Sequence, residues 1–557
     1  MAFPWRIISA VSLLSSYLIA SLQPQWRVSQ LLGAFVSAWI LQAFLVNAWR
    51  FILYPKFFSP LRDLPGPKSS SWLMGNFKEI REKPSGIPMR EWVHTIPNDG
   101  VIRYLSAFNQ ERLLITKPKA LAEVLVTKNY EFQKPGNIRF GLSRLLGVGI
   151  LLAEGDEHRT QRKNLMPAFA FRHIKDLYPT FWEKGREVVQ AMTKTIIADT
   201  QNEASTQDPE KAKKTAVIEV GGWASRVTLD IIGLTGLGKD FGAIENPDAE
   251  LSETYRRVFK PSRQAQILAF LGVFVPDWVI GRIPVKRNHD INEAARTIRN
   301  VCRDLIREKK EKLQRKELKD RDILSVALES GVFTEDNLVD QLMTFLAAGH
   351  ETTATAMTWA IYMLCKNPEV QARLRAEIRE KLPPIDSDRE VTSQEIDQMP
   401  YLNAVCSEVL RYYAPVPLTL REAAVDTSIQ GHYVPKGTSV VLSPWATNLD
   451  ETLWGPDAHE FKPERWVPKG PKDKRAASGG ATSNYAFMTF LHGPRSCIGL
   501  QFAKAEFACL LATWVGRFEF ALKNKEDEDE QNLAIKGGIT ARPERGLYVY
   551  ATVVDGW

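Results

Sequence analysis

One cysteine stands in an unusual setting near the end of the chain, in Phe490-Leu-His-Gly493-Pro-Arg495-Ser-Cys497-Ile-Gly499. An apolar, small-residue run over 500–515 follows and reads as a helix. A cysteine just ahead of a helix meets free backbone N–H groups and the positive end of the dipole. Both favour thiolate over thiol. Gly493 and Gly499 permit sharp backbone turns and close approach of a flat ligand. Arg495 adds a cation at the same spot. A thiolate so surrounded suits an iron ligand whose charge is tuned by hydrogen bonds. Cys302, Cys365, Cys406 and Cys509 have no such setting and read as buried structural thiols.

A second set lies in a long helical pattern over 335–367. Thr334 caps it, Glu335 and Asp336 suit its positive end, and Pro368 stops it. At 1.5 Å per residue such a helix runs ~50 Å and crosses a whole domain. Its middle, Ala347-Ala348-Gly349-His350-Glu351-Thr352-Thr353, is small and polar where a core helix should be bulky. Gly349 costs about 1 kcal/mol there relative to alanine. A polar, thinned segment in a buried helix suggests that something packs closely there. His350 reads as a neighbouring polar residue.

Three further constellations complete the set. Glu408 and Arg411, three apart, share a helix face and can pair. Arg465, in Pro463-Glu464-Arg465-Trp466, can fork onto the same carboxylate. His158 and Arg162 are spaced to face one way on a helix.

These stretches resemble the cytochrome P-450 family. The haem loop of that family reads FxxGxRxCxG, and Phe490, Gly493, Arg495, Cys497 and Gly499 meet it. At ~5% per residue type, five fixed positions arise by chance in about one chain per several thousand. Glu408 and Arg411 resemble the ExxR pair, 463–466 the PERF/PERW element, and 348–353 the oxygen-activating (A/G)Gx(D/E)T(T/S). Residues 155–162 resemble the helix with WxxxR, except that His158 replaces the tryptophan. The resemblance implies haem b with Cys497 as axial thiolate. It implies haem contacts from His158, Arg162, Gly349, Phe490, Gly493, Arg495 and Gly499. It makes Glu351 and Thr352 catalytic, beside a groove opened by Gly349, the hydroxyl hydrogen-bonding a small ligand and the carboxylate relaying protons, and it makes Glu408–Arg411–Arg465 a structural network.

The elements that must position these residues follow from patterning. Short strand-like runs (101–105, 112–115, 439–442, 547–554) are too few for a sandwich or doubly wound sheet. The expected fold is therefore mainly α with small β-sheets, and the resemblance makes it a single large haem domain. Polar stretches at 199–215 and 469–484 read as flexible insertions, and the charge run 307–322 as a solvated helix face. The acidic run 526–530 reads as a loop tip.

With 557 residues, length alone suggests three or four domains. Convergence of motifs from His158 to Cys497 on one porphyrin argues for one. Hydrophobic residues at 44% and charged residues at 25% exclude a disordered chain. A mean hydropathy of −0.22 excludes a polytopic transporter. The net charge of +7 is concentrated at the start: before Ser59 stand Arg6, Arg27, Arg50 and Lys56 and no acid, the first acid being Asp63. It therefore points to membrane, not nucleic acid. Uncharged runs at 7–22 and 28–49 precede Tyr54-Pro55, Ser59-Pro60 and Leu64-Pro65-Gly66-Pro67. The division expected is 1–58 as an anchor of one or two transmembrane helices, 59–68 as a proline-rich hinge, and 69–557 as the haem domain. Prolines make 54–67 an extended connector rather than helix. Arg50, Lys56, Arg62 and Lys68 place the body on the cytosolic side, which with the resemblance means the endoplasmic reticulum membrane.

The substrate pocket is expected around Phe345, Ala348, Val416 and Leu418, with 140–152 and 537–540 as weaker lining. Its apolar character points to a lipophilic small molecule, and the resemblance to a fungal enzyme of secondary metabolism. No flavin or nicotinamide domain is evident, so electrons come from a separate NADPH-dependent reductase, with dioxygen as co-substrate and membrane lipid as surroundings. The leading expectation is a monooxygenase. A peroxide isomerase or dehydratase on the same fold, and a haem-binding protein without turnover, are the alternatives; both predict loss of the Glu351–Thr352 pair.

Overall fold

The computed structural model describes the chain except residues 1–3, 24, 204–213, 260–261, 316, 318–321, 471–472, 474–475 and 537–538. Helices dominate. Those used below are α1 (Trp5–Leu22), α2 (Val28–Ala48), α3 (Ile87–Thr95), α4 (Gly155–Leu165), α5 (Val220–Ile232), α6 (Lys286–Gln314), α7 (Glu335–Lys366), α8 (Pro400–Tyr412) and α9 (Leu500–Arg517). The strands β1 (Val101–Leu105), β2 (Glu111–Ile115), β3 (Phe132–Gln133), β4 (Thr215–Glu219), β5 (Thr419–Ala423), β6 (Thr427–Ile429), β7 (His432–Val434), β8 (Ser439–Leu442), β9 (Phe518–Leu522), β10 (Ile535–Lys536), β11 (Arg542–Pro543) and β12 (Tyr548–Val553) form small sheets. The largest runs β1-β2-β8-β5-β3, with β2 and β8 parallel in the register Arg112↔Ser439 and the other pairs antiparallel. A second, β4-β12-β9, ties the chain end to its middle. β5 directly follows Val416 and Leu418, which are expected to line the pocket, and its sequence TLREA lacks the alternation of apolar and polar residues that marks a strand.

α7 is the axis of the body. Thr334 accepts from the Asn337 N–H at 3.2 Å, and the helix runs unbroken through Gly349. α5, α6, α8 and α9 all pack on it, so its two halves are buried almost throughout. Such a helix is stabilised by its neighbours rather than by propensity, which is how it tolerates a small, polar middle.

Two readings of the chain need correction. The connector is not extended from Tyr54: α2 continues as a π-helical segment, Trp49–Phe58, with Pro55 inside it. Wider i→i+5 bonding, as from Ser59 N–H to the Tyr54 carbonyl (2.8 Å), loosens the turn around the proline ring, which would clash with a carbonyl in tighter i→i+4 winding. Nor is 307–322 a fully solvated face. Lys309 is buried and pairs with Asp322, which also caps the next helix. The centres of both insertions, 204–213 and 471–475 apart from Asp473, lie outside the described residues, as does 537–538. The run 526–530 carries a short 3-10 turn, Lys525–Glu528, and Glu530 pairs with Arg90 at 3.2 Å.

α1 and α2 are long and apolar enough to cross a membrane, with mean hydropathies of 1.4 and 1.8 over their best windows. They pack on each other through Trp5 stacked on Trp39 at 5.2 Å and Trp39 Nε1 donating to Ser9 Oγ at 3.3 Å. The end of this anchor is seated on the body. Phe51 is buried against Phe108 and Phe274, and Asn109 donates to the Phe51 carbonyl at 2.8 Å.

Candidate functional site

The Cys497 loop closes on itself. The Cys497 N–H donates to the Phe490 carbonyl at 2.9 Å, and Ser496 N–H to the Gly493 carbonyl at 3.0 Å. Leu491 takes a left-handed φ of 55°, a strained choice for a side chain with Cβ. Gly493 also has positive φ, 76°, and a Cβ there would sit 2.2 Å from the Leu125 carbonyl oxygen. Gly499 differs: its Cβ would make only ordinary contact, 3.8 Å from Phe169. Its small size is therefore not demanded by protein packing. Phe490 packs near Phe487, ring centroids 6.3 Å apart.

Cys497 is exposed, yet protein crowds it closely enough that burial pushes its thiol up. Accessible surface in so dense a place belongs to an interior hollow. The Gly499 N–H and the Arg162 guanidinium pull in the opposite direction. Arg162, on α4, is fixed on the loop: it donates to the Ser496 carbonyl at 2.7 Å and to Ser496 Oγ at 3.3 Å. Of the other cysteines, Cys302, Cys406 and Cys509 are buried and Cys365 partly so, and burial pushes the thiols of all four up, Cys302 to about 12.

The middle of α7 looks into a hollow. Ala348 is exposed although Phe345 and Ala347 beside it are buried. Phe169 links the two sides, its ring 5.6 Å from that of Phe345 and in contact range of Gly499. Val416 and Leu418 are partly buried in the turn before β5. Thr352 Oγ1 donates back to the Ala348 carbonyl at 2.7 Å. Glu351 is buried, accepts from Thr540 Oγ1 at 2.9 Å, and lies 3.4 Å from Arg542 Nη1. Thr540 and Arg542 come from the C-terminal β-hairpin. It is pinned there by Trp359 Nε1 donating to the Ala541 carbonyl and by Ala541 N–H donating to the Pro415 carbonyl. Gly349 corrects an expectation. A Cβ there would lie 2.7 Å from Ile232 Cγ1, so its small size admits α5 and does not open a groove. His350 is buried, with Nδ1 2.6 Å from the Leu346 carbonyl, and takes a packing role.

Beside the loop lies a set of buried cations that patterning missed. Lys134 and Arg421 join Arg495, Arg162 and His158. Arg495 pairs with Glu154, lies 4.9 Å from the Tyr130 ring centre and donates to the Phe132 carbonyl at 3.3 Å. Burial, then Arg421, push the Lys134 amine down to about 7. Burial, then Arg495, push Arg421 down to about 10. Burial, then Arg495 and Lys134, push His158 down to about 4, so its ring is neutral near pH 7; Tyr130 Oη lies 3.2 Å from its Nδ1. Glu154 is the carboxylate that Lys134, Arg421 and Arg495 share. Like charges crowded in low dielectric call for anions. An anionic, flat ligand with two carboxylates fits this cradle, and haem is such a ligand. Lys134 and Arg421 carry no motif. Only their convergence could have found them.

The expected ion-pair network is complete. Arg411 donates to both Glu408 oxygens at 2.7 and 2.8 Å, and Arg465 Nε to Oε1 at 3.1 Å. Trp466 Nε1 and the Lys462 N–H, neither expected, add donors at 2.8 Å each.

Comparison with known proteins agrees with this geometry. The family model described as Cytochrome P-450 matches residues 65–548. The cytochrome P-450 monooxygenase sphH of Aspergillus fumigatus is 48% identical over 515 residues, covering 91% of each chain. The cytochrome P-450 monooxygenases FUM15 of Gibberella moniliformis, at 47%, and ALT8 of Alternaria alternata, at 44%, are similar over 90–92% of each chain. A thiol at a helix entrance, a buried cationic cradle and a hollow below a long central helix thus coincide with close sequence likeness, and the chain belongs to the cytochrome P-450 family as a fungal-type monooxygenase.

Proposed function

We propose that the protein is a membrane-tethered haem-thiolate monooxygenase. It inserts one oxygen atom into a lipophilic small molecule of secondary metabolism, with electrons from a separate NADPH-dependent reductase. The observation that carries this reading is the cation set Lys134, Arg421, Arg495 and Arg162 around the Cys497 loop, with Glu154 as the carboxylate shared by the first three. Two propionates would balance it.

Bound haem supplies dioxygen activation and oxygen-atom transfer. Cys497 holds the iron as thiolate. The Gly499 N–H and Arg162 temper the charge on its sulfur. Arg495, Lys134 and Arg421 hold the propionates, and neutral His158 donates or accepts one hydrogen bond. Thr352 turns its hydroxyl from the Ala348 carbonyl into the hollow to present a proton. Glu351 takes up protons at Oε1 from solvent water, with Thr540 Oγ1 as the hydroxyl beside it; Arg542, whose side chain is 31% exposed, stays protonated and holds the carboxylate near that water. Ala348, Phe345, Val416 and Leu418 line the apolar side. Residues 1–58 anchor the chain in the endoplasmic reticulum membrane, 59–68 lead out of it, and 69–557 form the haem domain on the cytosolic side.

Carbon monoxide added to the reduced protein should give the strongly red-shifted absorption of thiolate-bound haem. Cys497→Ser should abolish it. An unshifted band in the wild-type protein overturns the reading.

A further inference from the structure

We propose that His94, Glu451 and His459 form a surface site for a divalent cation of the zinc class. His94 lies in the last turn of α3, Glu451 opens the short helix Glu451–Trp454, and His459 lies in the loop beyond it. One ligand atom from each lies within 4.8 Å of the other two. Glu451 sits between the imidazoles, Oε2 at 3.9 Å from His94 Nδ1 and Oε1 at 3.7 Å from His459 Nε2. Both separations exceed a hydrogen bond, so hydrogen bonding does not account for the cluster. The two rings stand edge to face, centroids 5.9 Å apart.

A tetrahedral ion with N and O ligands at about 2.1 Å sets neighbouring ligand atoms about 3.4 Å apart. The two measured gaps, one to each oxygen of Glu451, need to close by roughly 0.5 Å or less, and the separations within the three-atom set, which reach no more than 4.8 Å, by roughly 1.4 Å or less. Side-chain rotation can supply that, because His94, Glu451 and His459 keep 55%, 39% and 42% of their side-chain surface free. Two imidazoles and a carboxylate with an open fourth position make a donor set for zinc, which completes its shell with water. The three residues come from separate segments, so no helical repeat brings them together by itself. Arg90 on α3, whose charge acts on His459, is itself paired with Glu530 at 3.2 Å.

The site has a structural consequence. His459 is flanked by Ala458 and Glu460, whose carbonyls accept from Arg411 at 2.7 and 2.8 Å. A cation there clamps α3 to the loop that seats the Glu408 network. Binding to the native state alone raises its stability by mass action.

The test is calorimetric titration of Zn2+ into the full-length protein in detergent and chelator-free buffer, with the thermal midpoint followed in parallel. One saturable site is expected, weakened at least tenfold in His94→Ala and in His459→Ala. A Zn2+-dependent rise in midpoint should vanish in both. Glu451→Gln, which keeps shape and loses charge, should weaken binding similarly and serves if an alanine variant folds poorly. No saturable binding, or equal affinity in the wild-type protein and all three variants, overturns the proposal, since the metal then binds elsewhere.

Discussion

Glu408 and Glu351 are both buried carboxylates beside arginine, and they are held in opposite ways. Glu408 is fully buried and saturated: two contacts from Arg411, one from Arg465, one from Trp466 and one from the Lys462 backbone. Glu351 accepts one hydroxyl and stands 3.4 Å from a partly exposed guanidinium. A carboxylate with every lone pair taken is a fixed point of the fold. One held lightly, with a route to solvent, can exchange a proton. Glu506 on α9 is a third case. It is fully buried with only the Thr353 hydroxyl to ease it, and burial pushes its carboxyl up to about 8.

The comparison can be broken most directly at Glu408. Glu408→Ala leaves Arg411 and Arg465 buried without counter-charge and should cost ~3–5 kcal/mol in denaturant unfolding. A loss under ~1 kcal/mol would show that the network is not a fixed point.

Glu506 tests the same physics through pH. Its folded value near 8 lies above the ~4.3 of an unfolded carboxylate. As pH rises, the unfolded chain sheds this proton first, so the group costs stability progressively from about pH 4 to pH 8. Glu506→Gln should therefore gain on the wild-type protein by roughly 3 kcal/mol between about pH 5 and pH 8. A constant difference across that range would mean that Glu506 is not held neutral.

Thr352→Ala should leave stability within about 1 kcal/mol. It should divert electrons to hydrogen peroxide, lowering product per NADPH roughly tenfold, or ~1.4 kcal/mol. Unchanged coupling would remove Thr352 from the proton path. The smallest effect is expected at Arg542→Ala: under ~1 kcal/mol in stability, with product per NADPH reduced about twofold, or ~0.4 kcal/mol. Partial recovery in Arg542→Lys would mark charge rather than shape.

Legibility followed range. Helix α7, with Thr334 at one end and Pro368 past the other, was readable because caps, stops and periodicity act within a few residues. So was the Cys497 loop, where glycines and the start of α9 lie side by side. The glycine in α7 was misread. Its small size serves Ile232, which lies far off in sequence. Pro55 was misread because a π-helical turn removes the conflict that proline normally creates. Lys309 looked solvated until Asp322 folded back on it.

The sequence by itself determined the thiol, the helix behind it, the acid–alcohol pair, the ExxR pair and the apolar start of the chain. Each is a local pattern whose chemistry depends on near neighbours. Only the tertiary structure decided which cations surround the loop, which groups hold Glu351, and that His94, Glu451 and His459 meet. Lys134 and Arg421, or Glu351 and Arg542, are separated by long stretches of chain and carry no signal of one another. Packing alone brings such groups together, and burial then sets the charges they can keep.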